Sequence, residues 1–381
     1  MYDSPNSLQE TCVDFICKNL EAVCETTTIT SQSSMQGFDG DYASPPVEKA
    51  TKLVFRDSDT YIHSEISEQL LTNLSESGRL SDHTITLFDP STTRLRHVIL
   101  RNASALTTKG LRMLRGHKIS DLEATGLKVT VNDLIGCLGE WTLQNLRSLN
   151  VARSTFMDGS RYCVVVALSK LRNLQCLNVS CTEFNRHGLE IVVEDLPHLE
   201  SLDISCTRVD DITPLRKCRD RLKLLTMYNL KVSCSDNVIP VLLDLHELRL
   251  LDVSDEKDNH PFGMFTPAHS KVTDFLRAVD KVPHLTSLDI SGKEDISSSE
   301  LRQFIHHHPQ LKFLGLTHSE VCHDEGFTNP RHPDYRPTLL VGALKVKKRN
   351  KKNKFNTRVG SNPLFYESKS PIYLRISSLN L

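Results

Sequence analysis

An eleven-residue leucine-rich phrase recurs between Leu95 and Val321, and a chain that repeats itself this way stacks lengthwise instead of collapsing around one centre. The clearest copies read LRSLNVARSTF from Leu146, LQCLNVSCTEF from Leu174, LESLDISCTRV from Leu199 and LKFLGLTHSEV from Leu311. Looser copies begin at Leu95, Ile119, Leu222, Leu248 and Leu285. Successive starts lie 24, 27, 28, 25, 23, 26, 37 and 26 residues apart. Apolar residues hold positions one, four, six and usually eleven of each phrase. That alternation around positions four and six is strand periodicity, as in Leu202-Asp203-Ile204.

Each phrase is followed by a helical pattern, as with Leu189, Val192, Val193 and Leu196. One strand and one helix cannot bury both apolar faces alone, whereas stacked copies can. The expected fold is therefore α/β: a leucine-rich-repeat solenoid over residues 91–321, with parallel strands lining a concave face and its first and last copies acting as caps. The usual Asn at position nine is missing. Ser154, Thr182, Thr207 and Ser319 stand there and can meet part of its hydrogen-bonding role, whereas Leu127 and Leu230 cannot. A somewhat irregular solenoid follows from that.

Outside the repeats, residues 1–25 read as a short amphipathic helix and 26–60, rich in Ser, Thr, Gly and Asp, as a disordered linker. Residues 61–90 hold a second short helix with its connection. The long interval carries Asp255–Lys271, with Pro261, Gly263 and Pro267, which reads as an inserted surface loop. Beyond Val321 the repeat pattern ends. Residues 322–381 read as a disordered tail with a basic run, Lys345–Lys354, suited to nuclear import or to simple solvation.

A net charge of −1 gives no reason to expect nucleic acid or an anionic membrane as main partner. There is no basic leader and no apolar run long enough to span a bilayer, and the 11 cysteines follow no disulfide framework. A reduced, cytoplasmic setting is expected, with nuclear entry through the basic run as an added option. Motifs for phosphate binding or nucleophilic catalysis are missing, so neither an enzyme nor a cofactor is expected. His306-His307-His308 point in different directions on a helix and suit carbonyl capping better than a metal. Position five reads as a concave-face row in which Glu123, Asp203, Asp252 and Asp289 would offer an acidic strip to a basic partner.

The N-terminal helix carries the sharpest signal. Ser7-Leu8-Gln9-Glu10 is a capping box that starts a helix at Leu8. Leu8, Cys12 and Ile16 then recur at four-residue steps, joined by Phe15. SLQETCVDFI fits the (S/T/P)-L-x-x-x-C-x-x-x-aliphatic pattern of the BC box, in which a Leu knob fills a partner pocket and a small Cys permits close approach. The competing reading is a plain cap over the end of the solenoid.

This order of elements resembles the zyg-eleven/Zer family of substrate receptors for cullin-2 ubiquitin ligases. DLEATGLKVTVNDLIGCLG, LPHLESLDISCTRVDDITPL, CRDRLKLLTMYNLK and LTSLDISGKEDIS carry the likeness through the middle repeats. The resemblance implies that Ser7, Leu8, Cys12, Phe15 and Ile16 contact elongin C, which comes with elongin B, and that Ile62, Ile66 and Leu70 contact cullin-2. His63 departs from the Pro that opens the family's cullin helix. Family members continue into armadillo-type repeats that capture N-terminal glycine. With nothing of that kind after Val321, the chain reads as a short form able to compete with longer receptors, its protein substrate open. The alternative function is a cytosolic leucine-rich scaffold with no ubiquitin role.

Overall fold

The computed structural model describes residues 7–29, 50–57, 61–156, 165–232, 238–255, 272–292, 296–317, 319, 321 and 324–342. It divides into Met1–Ala343 and Leu344–Leu381, the second lying wholly outside the described residues, as do the basic run and the body of the inserted loop.

The chain opens with α1 (Leu8–Lys18), a single turn α2 (Leu20–Val23), β1 (Cys24–Ile29), β2 (Ala50–Phe55) and α3 (Ser64–Glu76). The repeats then supply β3 (His97–Arg101), β4 (Asp121–Thr125), β5 (Ser148–Asn150), β6 (Cys176–Asn178) and β7 (Ser201–Asp203). They continue with β8 (Leu224–Thr226), β9 (Leu250–Asp252), β10 (Ser287–Asp289), β11 (Phe313–Gly315) and β12 (Leu340–Gly342). Strands β3 to β12 form one parallel sheet in sequence order, each beside its predecessor and successor. The position-four leucines stand in line, Leu149 opposite Leu177, Leu202, Leu225, Leu251, Leu288 and Leu314 in turn. All are buried. Across the long β9–β10 interval the strands keep this register.

Between the strands run helices and 3₁₀ turns: α4 (Thr108–Leu111), α5 (Val131–Cys137), α6 (Glu140–Asn145), α7 (Arg186–Asp195), α8 (Val238–Asp244), α9 (Val272–Val279), α10 (Ser298–His307) and α11 (Glu325–Thr328). Helix α7 starts because Asn185 accepts the Gly188 amide, and it buries Leu189, Val192 and Val193 with Leu196 just beyond its end. Elsewhere the same layer is only a 3₁₀ turn, as at Val166–Lys170 and Thr213–Cys218, which makes the stack irregular as expected. The position-nine hydroxyls partly replace the missing Asn: Ser154 donates to Ala124 O, Thr182 to Val179 O, Thr207 to Ile204 O and Ser319 to Leu316 O. Among the described residues no helix is long and apolar enough to cross a membrane.

Position eight turns the chain out of seven of the strands in the left-handed region: Asn102, Gly126, Arg153, Cys181, Cys206, Asn229 and Gly292 all have φ between 49° and 81°. Gly292 is required twice over, since a Cβ there would stand 2.2 Å from Asp255 O.

Two expectations need correction. The segment read as a disordered linker contributes to a hairpin: β1 and β2 pair antiparallel from Cys24 opposite Phe55 to Ile29 opposite Ala50. Thr86 Oγ1 accepts the Leu53 amide at 2.8 Å, and Lys52 pairs with Asp89, so the hairpin is tied to the turn before the repeats. Desolvation opposes the Asp89 charge, but Lys52 and both donors of Ser91 outweigh it and hold the carboxyl down at about 2. The repeats also do not end at Val321, because β12 extends the sheet beside β11. Its Leu340-Val341-Gly342 lacks the leucine spacing of the phrase, which hides it from periodicity.

The first rung is closed by α3. A lone parallel edge would leave the β3 amides bare. Glu68 Oε1 accepts from Arg96 N (2.7 Å) and His97 N (3.0 Å), while Ser75 Oγ accepts from Arg101 N (2.7 Å) and donates to Arg101 O (2.5 Å). Two side chains thus bond both ends of the edge strand, and α3 becomes the N-terminal cap.

Candidate functional site

Helix α1 lies on α3, and its two faces have different fates. Its start is fixed by the capping box: Ser7 N donates to Glu10 Oε2 (2.8 Å) and Glu10 N to Ser7 Oγ (3.2 Å). With roughly 100° per residue, Cys12 and Phe15 fall within about 40° of Leu8, whereas Val13 and Cys17 lie about 140° and 180° away. The structure follows that geometry. Val13 and Cys17 are buried, and Ile16 and Leu20 pack partly against the same core. Cys17 Sγ donates weakly to Leu70 O (3.9 Å), Arg79 Nη1 donates to Cys17 O (2.6 Å), and Gln9 Nε2 to Gln69 Oε1 (3.1 Å). Burial pushes the Cys17 thiol up to about 11, with Asp14 adding and Arg79 opposing, so it packs as an inert apolar group.

The opposite face is bare. Leu8 is 82% exposed and Phe15 59%, with Cys12 exposed between them and Ser7 exposed at the cap. Of the five residues expected to contact a partner, four form this ridge. Ile16 is the exception: it turns partly inward to the core, because its angle puts it between the two faces.

The expected second contact set is divided. Leu70 is buried, 2% exposed, in the α3 face that also buries Ser67, Leu71 and Leu74, so it cannot meet a partner directly; that assignment is corrected. Ile62 and Ile66 are half-buried. The Ile62 amide donates to Thr92 O (3.0 Å), tying it to the loop before β3. Beside it Tyr61, which periodicity did not single out, is 54% exposed.

The acidic strip is also corrected. Asp203, Asp252 and Asp289 are buried, because each carboxylate folds back on its own turn: Asp203 accepts Ser205 N (2.9 Å), Asp252 accepts Ser254 N (3.0 Å) and Asp289 accepts Ser291 N (2.9 Å). Asn150 and Asn178 do the same for Ala152 and Ser180, so position five is a strand-ending ladder. Burial raises the Asp203 carboxyl to about 6 despite the Ser205 bonds. Asp252 and Asp289, opposite each other in adjacent strands, are both pushed above the carboxylate range, chiefly by burial, with Asp289's charge adding at Asp252. Glu123 is neutralised by a two-bond fork from Arg101, 2.5 and 2.9 Å.

Cations gather instead beside the strand starts. A groove of about 500 Å³ at the starts of β3 to β6 is lined by Arg96, Lys118 and Arg147, with Trp141 of α6 and Asp121. Lys118 Nζ sits 5.8 Å from the Trp141 ring centroid. The cations of position two at Arg96 and Arg147 were visible in the repeat alignment, but their meeting with Trp141 depends on one helix of one repeat.

At the far end, His308 is buried, stacked on Phe304 at 4.3 Å, with Nδ1 3.0 Å from Phe304 O and Nε2 3.3 Å from Val282 O. His307 meets Asp280 at 2.8 Å. The capping role expected for this run falls to His308.

Residues 190–304 match the model of the Zer-1-like leucine-rich-repeat family. Among solved structures, the chain is similar to internalin C2 of Listeria monocytogenes (16% identity over 55% of this chain and 75% of that one, TM-score 0.36). It is also similar to an internalin F of the same organism (15%, 62% and 69%, TM-score 0.38) and to the yeast Rad7 and Elc1 complex (13%, 74% and 88%, TM-score 0.36). The in-register parallel sheet and the family model together identify the chain as a leucine-rich-repeat protein whose residues 190–304 are similar to the Zer-1-like type.

Proposed function

We propose that the chain is a non-catalytic adaptor of a cullin-2 ubiquitin ligase that docks on elongin C, with elongin B, through α1 and holds protein partners along its repeats. The observation that carries this is the 82% exposure of Leu8 on a capped helix whose reverse face is anchored. An apolar side chain held out by a rigid helix loses little entropy on entering a pocket, and Cys12 between Leu8 and Phe15 leaves room for close approach. With Leu70 buried, cullin-2 contact falls to Ile62, Ile66 and Tyr61. The adaptor contributes proximity, and the chemistry belongs to the ligase's other subunits.

The reading of α1 as a plain cap has its own support in buried Val13 and Cys17, and the two roles use different faces. Pull-down of elongin B/C by the full chain separates them. Docking predicts capture by the wild type and its loss in Leu8→Ala plus Cys12→Ala, with the melting temperature unchanged. Truncating such an anchor costs about 2–4 kcal/mol, roughly 30- to 1000-fold in affinity. A plain cap predicts no elongin with either protein.

A further inference from the structure

Two successive repeats carry the same tripeptide, Ser180-Cys181-Thr182 and Ser205-Cys206-Thr207, and the solenoid stacks them directly. The Cys181 amide donates to Ser205 O and the Cys206 amide to Tyr228 O, both at 2.9 Å, so the cysteines occupy equivalent places on neighbouring rungs. Their backbones are near-identical, φ 56° and 54°, which sends both side chains the same way. Rungs of a sheet lie about 4.8 Å apart, inside the 4.4–6.8 Å Cα window that a disulfide spans. Cys181 is exposed and Cys206 partly so.

Other copies place Gly126, Gly292, Asn102 and Asn229 at this left-handed position, residues that adopt it readily, and the copy before Cys181 places Arg153 there. Two adjacent cysteines there accept a strained backbone, and such strain gathers at functional positions.

We propose that Cys181 and Cys206 form a vicinal dithiol that a hydroperoxide converts to a disulfide, with Cys181 as the attacking sulfur and Cys206 as the resolving one. The surroundings support this order. A hydrogen bond from Cys206 lowers the Cys181 thiol to about 7, against the opposing pull of burial and the nearby Asp203 charge, with Arg153 assisting from the preceding rung. Its own bond with Cys181, then burial, drives Cys206 strongly upward, which keeps its proton in place. Cys206 Sγ also lies 3.7 Å from Tyr228 O.

The step balances. Cys181 gives its proton to solvent, and its thiolate attacks one peroxide oxygen. The S–O bond forms as the O–O bond breaks, and the departing hydroxide takes a proton to become water. Cys206 then attacks the Cys181 sulfenic sulfur, the S–S bond forms, and a second water leaves with the Cys206 proton. Two thiols are oxidised as one peroxide is reduced to two waters.

The test is treatment of the fully reduced full-length chain with one equivalent of hydrogen peroxide at neutral pH, followed by peptide mapping. The expected result is a peptide pair joined through Cys181 and Cys206, formed ahead of any oxidation at the exposed single thiols Cys12 and Cys176. In Cys206→Ser, the Cys181 sulfenic acid should persist and be trapped by dimedone. Alkylation of Cys181 by iodoacetamide should slow roughly fivefold in Cys206→Ala, which removes the hydrogen-bond donor, as the thiolate fraction falls. Oxidation of Cys12 or Cys176 before the pair, or separate oxidation of Cys181 and Cys206 in the wild type with no cross-link, would overturn the proposal.

Discussion

Aspartate at position 13 is expected to unseat the N-terminal helix, whereas aspartate at position 8 should leave the fold intact and abolish elongin capture. Val13 is 2% exposed between α1 and α3. A carboxylate there would be taken out of water into an apolar contact, and burying a charge costs several kcal/mol or forces the helix off its seat. Since α1 covers α3, and α3 in turn bonds both ends of β3, loss of Val13 packing should also loosen the first rung. Thermal unfolding of Val13→Asp should begin several degrees below the wild type.

Leu8 sits in the first turn of the same helix with its side chain in water. An acidic residue there interacts favourably with the helix N-terminus, so Leu8→Asp should melt at the wild-type temperature or slightly above. The same charge in an apolar partner pocket is prohibitive. A drop in stability for Leu8→Asp comparable with Val13→Asp would show that the outer face packs against the chain itself.

The second large effect concerns the carboxylate ladder. Asp203 has its folded value raised to about 6, and Asp252 and Asp289 are raised as well. A carboxyl whose folded value is raised contributes stability that is fully present below its unfolded value, about 4, and lost as pH rises through the folded value. These three carboxyls are therefore expected to favour the fold at pH 5 over pH 8, against an opposing contribution from His117, whose imidazole burial holds below its ordinary value. Asp252→Asn keeps an oxygen for the Ser254 amide, as Asn150 and Asn178 do for theirs, and removes the charge facing Asp289. It should raise stability at pH 8 by about 1–3 kcal/mol and flatten the slope between pH 5 and 8. Urea unfolding at the two pH values reads both effects. A variant less stable than wild type at pH 8 would mean that Asp252 is charged and compensated.

The solenoid was legible because its determinants are local and repeated. Leu202, Ile204 and Val209 bury where positions four, six and eleven say they should, and the same holds for Leu149, Val151 and Phe156. The Ser7–Glu10 cap was legible for the same reason: its partners are three residues apart. What escaped depended on distant partners. Strand β1 is a polar, threonine-rich segment and β2 a short, largely apolar one, and they become strands by pairing from Cys24 with Phe55 to Ile29 with Ala50. Leu70 looks like a free anchor in sequence and is buried because α1 returns over it.

The position-five acids misled for another reason. Strand alternation says which way a side chain leaves the backbone, but a short carboxylate can fold onto amides two residues ahead and vanish from the surface. The groove around Trp141 required four strand starts and one helix to be placed together.

The most direct measurement of docking is amide hydrogen exchange of the full chain with and without elongin B/C. Engagement of the Leu8, Cys12 and Phe15 ridge predicts slower exchange over Leu8–Lys18 in the complex, with the strands from β5 to β11 unchanged. A complex that leaves Leu8–Lys18 exchanging at its free rate, or no complex at micromolar concentration, would contradict it.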